Sequence, residues 1–290
     1  MASPLIEKYM RTEHLPHIWC AGCGNGILMR DVAQAIDQLG LDRDQVVVVS
    51  GIGCSSRAAG YMDFNTIHTT HGRAIAFATG VKLANPALEV IVITGDGDCS
   101  AIGGNHLIHA ARRNIGLTVV VFNNNIYGMT GGQYSPTTPT GDSGTTAPYG
   151  NIDRTFDLAA LALSAGATYA ARGNCYHVRQ TTDLIRRGIE HNGFSIIDCA
   201  SLCPTYYGRK NGRGGAVDMM RWQKENTVLR DGPGDPHQDS VPDSQPAAPQ
   251  ASLTGGKITV GLLSETEYPE YSEAYRALVE KLGKERVSND

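Results

Sequence analysis

Two short, unbroken apolar runs dominate the middle of the chain, at residues 90–94 (Val-Ile-Val-Ile-Thr) and 117–122 (Leu-Thr-Val-Val-Val-Phe). Continuous runs of this length, rich in β-branched residues, predict strands covered on both faces. Residues 104–114 lie between them with Leu107, Ile108 and Ala111 at helical spacing, which makes a βαβ unit. The same alternation extends outward. Residues 25–39 predict a helix with Leu28, Val32, Ala35, Ile36 and Leu39 on one face, and 45–50 a short buried strand. Residues 72–85 predict a second helix that stops before Pro86. Helices follow at 155–165 and 180–191, and strands at 168–171 and 195–199. Such alternation predicts an α/β fold with a doubly wound, mostly parallel sheet.

The pattern breaks once. Residues 231–256 hold Pro233, Pro236, Pro242, Pro246 and Pro249 among Gly, Ser, Asp and Gln. That composition predicts an extended or mobile linker. It divides the chain into a main domain (1–230), the linker (231–256) and a tail (257–290), with a strand at 258–263 and a helix at about 270–282. The tail is expected to dock on the body or on a partner.

The candidate chemistry sits where the two central strands end. Gly95-Asp96-Gly97-Asp98 follows the first and Asn123-Asn124-Asn125 the second. Open parallel sheets bind ligands beyond the carboxyl ends of their strands. Glycines there let backbone N–H groups approach a diphosphate, and Asp96 and Asn124 offer hard oxygen ligands for a bridging Mg²⁺. A lone Gly-Asp-Gly more often marks a turn. The coupling to a second strand end bearing Asn weighs against that reading here.

This pair of motifs resembles the thiamine diphosphate signature. The segment Ile126-Tyr127-Gly128-Met129-Thr130-Gly131-Gly132-Gln133 resembles the stretch after it in beta subunits of 2-oxoacid:ferredoxin oxidoreductases. Trp19-Cys20-Ala21-Gly22-Cys23-Gly24, Gly51-Ile52-Gly53-Cys54-Ser55-Ser56-Arg57 and His71-Gly72-Arg73 are similar to further segments of those subunits, and the TGGQ loop is most like the 2-oxoglutarate members. The resemblance covers roughly residues 15–210. It implies a diphosphate-binding domain in which Ile52, Gly53, Cys54, Ser55, His71, Gly95, Gly97, Asp98, Asn124, Gly128 and Met129 contact thiamine diphosphate. Asp96, the Asn124 side chain and the Ile126 carbonyl would hold Mg²⁺.

The chain has seven cysteines, an odd number, two of them in a Cys-x-x-Cys turn. That usage fits metal binding better than disulfides. Taken alone, the cysteines leave iron–sulfur and zinc both open, and His68-x-x-His71 offers a Cys₂His₂ zinc alternative. The resemblance implies a [4Fe–4S] cluster on Cys20, Cys23, Cys54 and Cys203, with Cys199 as the rival for the fourth position. Cys99 and Cys175 are expected to be buried small apolar residues. Trp19 and Tyr127 are expected to pack around the cofactors.

The resemblance further implies coenzyme-A-dependent oxidative decarboxylation of a 2-oxoacid, with 2-oxoglutarate giving succinyl-CoA and electrons passing to ferredoxin. Pyruvate and branched-chain acids, or a non-redox thiamine decarboxylase with structural zinc, are the alternatives. The Glu that activates the thiamine ring belongs to a second domain in such enzymes, and none is recognisable here. An alpha subunit is therefore expected to supply it, with no catalytic side chain assigned to this chain. Lys210 after the Cys203 loop is either a substrate-carboxylate partner or a solvated residue. Net charge is −4, which speaks against nucleic acid or a membrane surface. Residues 1–11 contain no apolar segment of the kind that directs secretion, so a cytoplasmic protein is expected.

Overall fold

The computed structural model describes residues 3–230 and 257–287; the expected linker lies outside the described residues. The chain opens with a short helix, α1 (Pro4–Tyr9), then α2 (Asn25–Leu39), β1 (Val46–Ser50), a turn of helix α3 (Ala58–Tyr61), β2 (Asn65–His68) and α4 (Ala74–Ala84). The central unit is β3 (Glu89–Gly95), α5 (Gly104–Arg112) and β4 (Thr118–Asn123). A two-residue hairpin follows, β5 (Ile126–Tyr127) and β6 (Gln133–Tyr134). Next come α6 (Leu158–Ser164), β7 (Tyr169–Asn174), α7 (Val178–Glu190), β8 (Ser195–Ala200), α8 (Ala216–Glu225) and β9 (Thr227–Leu229). The tail supplies β10 (Ile258–Glu265) and α9 (Tyr271–Val287).

Eight strands form one sheet in the order β2-β1-β3-β4-β8-β7-β10-β9. All neighbours are parallel except β10 and β7, which pair antiparallel. The tail strand thus extends the sheet of the body. Along β1, Val46 and Val48 enter one core while Val47 and Val49 enter the other, which is why four valines run together. The first core is closed by Leu28, Val32 and Ile36 of α2 with Leu184 and Ile185 of α7. The second is closed by Ile75 of α4, Leu107 of α5 and Leu158 of α6.

The strand order fixes where a ligand can bind. From β1 the chain moves outward to β2, and from β3 it moves the other way to β4. The carboxyl ends of β1 and β3 therefore flank a topological switch point, the crevice that open α/β sheets use for ligands. Gly51–Ser55 leaves one strand there and Gly95–Asp98 the other.

Several boundaries differ from the sequence expectation for local reasons. The helix expected from 72 begins at Ala74, because Gly72 is left-handed (φ 70°). The helix expected over 104–114 ends at Arg112, and Asn114 turns the chain at φ 50°. The helix expected from 155 begins at Leu158, where the Asp157 carboxylate accepts from Ala160 N. Strand β2 and helix α8 escaped the pattern. The exposed edge strand carries no alternation, and α8 buries only Met219 and Gln223.

One buried charge makes the fold pH-sensitive. Asp31 on α2 is fully buried. Burial, offset only in part by Arg30 and Thr182, pushes its pKa up to about 7. A carboxyl raised in this way favours the folded state while protonated, and that contribution is lost as pH rises through the folded pKa. Stability should therefore fall as pH rises from about 4 to about 7, by roughly 4 kcal/mol in all. In Asp31→Asn the melting temperature should lose most of this pH dependence. A variant as pH-sensitive as the parent would show that another group titrates.

Candidate functional site

Asp96 stands just past β3 and is buried. Its Oδ2 accepts hydrogen bonds from Ser135 Oγ at 2.5 Å and Thr137 Oγ1 at 2.6 Å. Thr137 Oγ1 also lies 3.1 Å from Asn123 Oδ1, and Asn123 Nδ2 donates to Asp198 at 3.0 Å. The loop after the hairpin thus reaches back and clamps the aspartate. Burial raises the Asp96 carboxyl above its ordinary value, while the two hydroxyls pull it down. A desolvated carboxylate of this kind suits a divalent cation, which stabilises the ionised form. Asn125, left-handed at φ 61°, turns the chain so that Asn124 Oδ1 accepts from Ile126 N at 3.2 Å. Asp96 and Asn124 share one cavity wall with Ile126.

That cavity has a volume of about 120 Å³. Its walls include Ile52, Gly53, Cys54, Ser55, His71, Gly95, Gly97, Asp98, Gly128 and Met129, together with the three residues just described. Tyr127, expected to pack around a cofactor, lines it too, and Phe122 and Thr130, to which the sequence reading gave no role there, complete it. Asp98 has a different role from its neighbours. Its Oδ1 accepts from His71 Nδ1 at 2.5 Å, Gly72 N at 2.7 Å and Ile52 N at 3.3 Å, and its Oδ2 from Thr94 Oγ1 at 2.7 Å. The carboxylate ties three loops together and positions Ile52 and His71. Tyr127 lays its ring on Gly97, where an added Cβ would meet ring atoms at 2.3 Å, and its hydroxyl donates to Gly97 O. Burial pushes the Tyr127 hydroxyl up to about 12, so it stays a donor.

A second cavity of about 270 Å³ adjoins the first. Cys20, Cys23, Cys54 and Cys203 all line it, and Cys54, Asn124, Gly128 and Met129 line both. Cys199 lies in the apolar core, does not line this cavity, and joins Cys99 and Cys175 among the buried thiols. The Cys-x-x-Cys turn needs Gly22, which is left-handed (φ 78°) and packs on Ala216, so that a Cβ would lie 2.2 Å from the Ala216 side chain. Trp19 Nε1 donates to Cys54 O at 2.6 Å and locks the third thiol's loop to the turn. Gly128 keeps the wall thin: its missing Cβ would stand 3.4 Å from Cys54 Sγ and 3.6 Å from Cys203 Sγ.

Burial and mutual repulsion push Cys23 and Cys54 up to about 11, and Cys203 is raised as well. Such thiols are poor nucleophiles at neutral pH and become thiolates when a metal centre binds them. The four-sulfur donor set fits a soft centre, and the volume between the sulfurs suits a cluster. Among the described residues, no three His, Cys, Asp or Glu side chains converge closely enough to hold a single ion. His71 lines the other cavity, apart from Cys20 and Cys23, and its Nδ1 donates to Asp98.

The sequence signal for Ser135 and Thr137 was present in the loop after TGGQ, but nothing local showed that it folds back onto Asp96. Lys210 lines neither cavity, and Arg57 lines the one with the thiols. Among the described residues, no helix is long and apolar enough to cross a membrane.

Residues 45–199 match the family described as thiamine pyrophosphate enzyme, C-terminal TPP binding domain. The 2-oxoglutarate synthase subunit KorB of Methanocaldococcus jannaschii is 50% identical over 278 residues, 96% of this chain and 98% of the relative. Its namesake in Methanothermobacter marburgensis is 49% identical over 278 residues, 96% of this chain and 93% of the relative. Among solved structures, a 2-oxoglutarate:ferredoxin oxidoreductase from Magnetococcus marinus with 2-oxoglutarate, coenzyme A and succinyl-CoA bound superposes with a TM-score of 0.80. It is 33% identical, with 96% of this chain and 90% of that chain covered.

Proposed function

The chain belongs to the beta subunits of 2-oxoglutarate:ferredoxin oxidoreductases, a family of thiamine pyrophosphate enzymes, and from that premise we propose the following division of labour. The overall reaction converts 2-oxoglutarate, coenzyme A and two oxidised ferredoxins into succinyl-CoA, carbon dioxide, one proton and two reduced ferredoxins. Bound thiamine diphosphate supplies the carbanion chemistry of decarboxylation, and a thiolate-held [4Fe–4S] cluster supplies one-electron acceptance.

This chain's own residues do the holding. Asp96, Asn124 Oδ1 and the Ile126 carbonyl are the Mg²⁺ ligands, with Ser135 and Thr137 orienting the aspartate. Gly95 and Gly97 lie on the cofactor wall, where the bare Gly97 lets the Tyr127 ring pack against it, and Ile52, Gly53, Ser55, His71 and Met129 complete that wall. Cys20, Cys23, Cys54 and Cys203 hold the cluster. The observation that carries this reading is the shared wall: Cys54, Asn124, Gly128 and Met129 border both cavities. A two-electron donor in one and a one-electron acceptor in the other would then be adjacent.

The carboxylates lining the cofactor cavity, Asp96 and Asp98, are both committed to internal hydrogen bonds. The acid that activates the thiamine ring therefore comes from the alpha subunit. Anaerobic assays of succinyl-CoA formation test this. The isolated chain should give none, and the chain with its alpha subunit should turn over 2-oxoglutarate in preference to pyruvate. Full turnover by the isolated chain would contradict the two-subunit site.

A further inference from the structure

Electrons that reach the four-cysteine cavity must leave it, and one side of that cavity faces solvent. Cys20, Ala21 and Gly22 are exposed, whereas Cys203 is buried. The turn is framed by two apolar side chains on the surface, Ile18 at 66% exposure and Val217 at 69%. The turn and α8 meet here, because Gly22 packs against Ala216, the residue before Val217.

Charge around this patch opposes that of the whole chain. The segment 203–225, to the end of α8, carries Arg209, Lys210, Arg213, Arg221 and Lys224 against the acidic Asp218 and Glu225, in a chain of net charge −4. Arg213 is paired with Asp142 and Arg221 with Asp218. Arg209 and Lys210 are exposed and, among the described residues, have no carboxylate partner. They follow directly on the helical turn Pro204–Gly208 that begins at Cys203. Arg57 is likewise exposed, without a carboxylate partner among the described residues, and lines the thiol cavity itself. An apolar centre with a cationic rim is the form of a transient interface that steers an acidic partner.

We propose that the surface around Cys20, centred on Ile18 and Val217 and rimmed by Arg57, Arg209 and Lys210, is the docking face for a small acidic one-electron carrier protein. The inference rests on the cluster reading above. Each encounter passes one electron from the reduced cluster to the oxidised carrier, so two encounters complete one decarboxylation. Rim charges of this kind act mainly on the encounter rate, which falls with added salt.

The test uses the two-subunit enzyme, anaerobically, with an acidic ferredoxin and separately with a small viologen dye as acceptor. In Arg209→Glu/Lys210→Glu, kcat/KM for ferredoxin should fall about tenfold or more at low salt, and its salt dependence should flatten. Turnover with the dye, the visible spectrum and KM for 2-oxoglutarate should stay as in the parent. Val217→Asp provides a second variant outside the charged rim, expected to weaken ferredoxin turnover alone. Unchanged ferredoxin kinetics in both variants would overturn the proposal. So would a rise in KM for 2-oxoglutarate, which would place Lys210 at the substrate, or loss of the alpha subunit on purification, which would make this face a subunit interface. A colourless parent enzyme would instead defeat the cluster reading, a failure recognisable before any variant is made.

Discussion

Asp96→Ala should leave a folded subunit that no longer retains thiamine diphosphate and Mg²⁺. Of the two described acidic side chains that line the cavity, the Asp96 carboxylate is the one not tied to the loops after β1 and before α4. Removing it deletes the charge that offsets a dication and strands the Ser135 and Thr137 hydroxyls. A loss of about 3–4 kcal/mol is the usual scale for breaking one member of a buried charged set, equivalent to roughly 10²–10³-fold in affinity. Asp96→Asn separates the two effects, since the amide oxygen still accepts from both hydroxyls while the charge is gone. Thr137→Val should cost less, about 10–100-fold, as expected for a residue that only orients a ligand. Titration of the two-subunit enzyme with thiamine diphosphate at fixed Mg²⁺ checks all three. Asp96→Ala binding as tightly as the parent would remove Asp96 from the metal site.

The second large effect is expected at the cysteines, where two neighbours in sequence should behave oppositely. Cys203→Ser should lose most of the iron and acid-labile sulfide, along with all ferredoxin-linked turnover, because it removes one of four thiols around the cavity. Cys199→Ser should keep the cluster. Its thiol sits in the apolar core with no accessible surface, and burial raises its pKa far above normal. The Ser variant there should instead lower stability by about 1–3 kcal/mol by burying a hydroxyl. Iron and sulfide analysis of the two proteins side by side decides the fourth ligand. Equal cluster content would mean that neither residue, or either one, completes the set.

The parts of this site that were legible in the sequence are those set by one strand end at a time. Asp96 after β3, Asn124 after β4 and the Cys-x-x-Cys turn each announce themselves through local spacing. Their gathering into two cavities with a common wall depends on strand order, which no local pattern encodes. For the same reason the clamp of Ser135 and Thr137 on Asp96, across about forty residues of chain, was invisible beforehand. Asp98 shows the reverse case. The motif suggests a cofactor contact and the residue does line that cavity, but its four hydrogen bonds also make it the knot between the loops that carry Ile52 and His71. Between Cys199 and Cys203 the sequence already leans to Cys203, with a strand ending at residue 199 and a family-like loop at 203, and in the fold β8 carries Cys199 into the core.

The central claim is that thiamine chemistry and a cluster share one wall of this subunit. The most direct measurement is an anaerobic visible spectrum of the purified two-subunit enzyme before and after 2-oxoglutarate and coenzyme A. The account predicts a brown protein with a broad band near about 400 nm that bleaches when both substrates are present and returns on adding oxidised ferredoxin. A protein that is colourless, or whose band ignores both substrates, would contradict it.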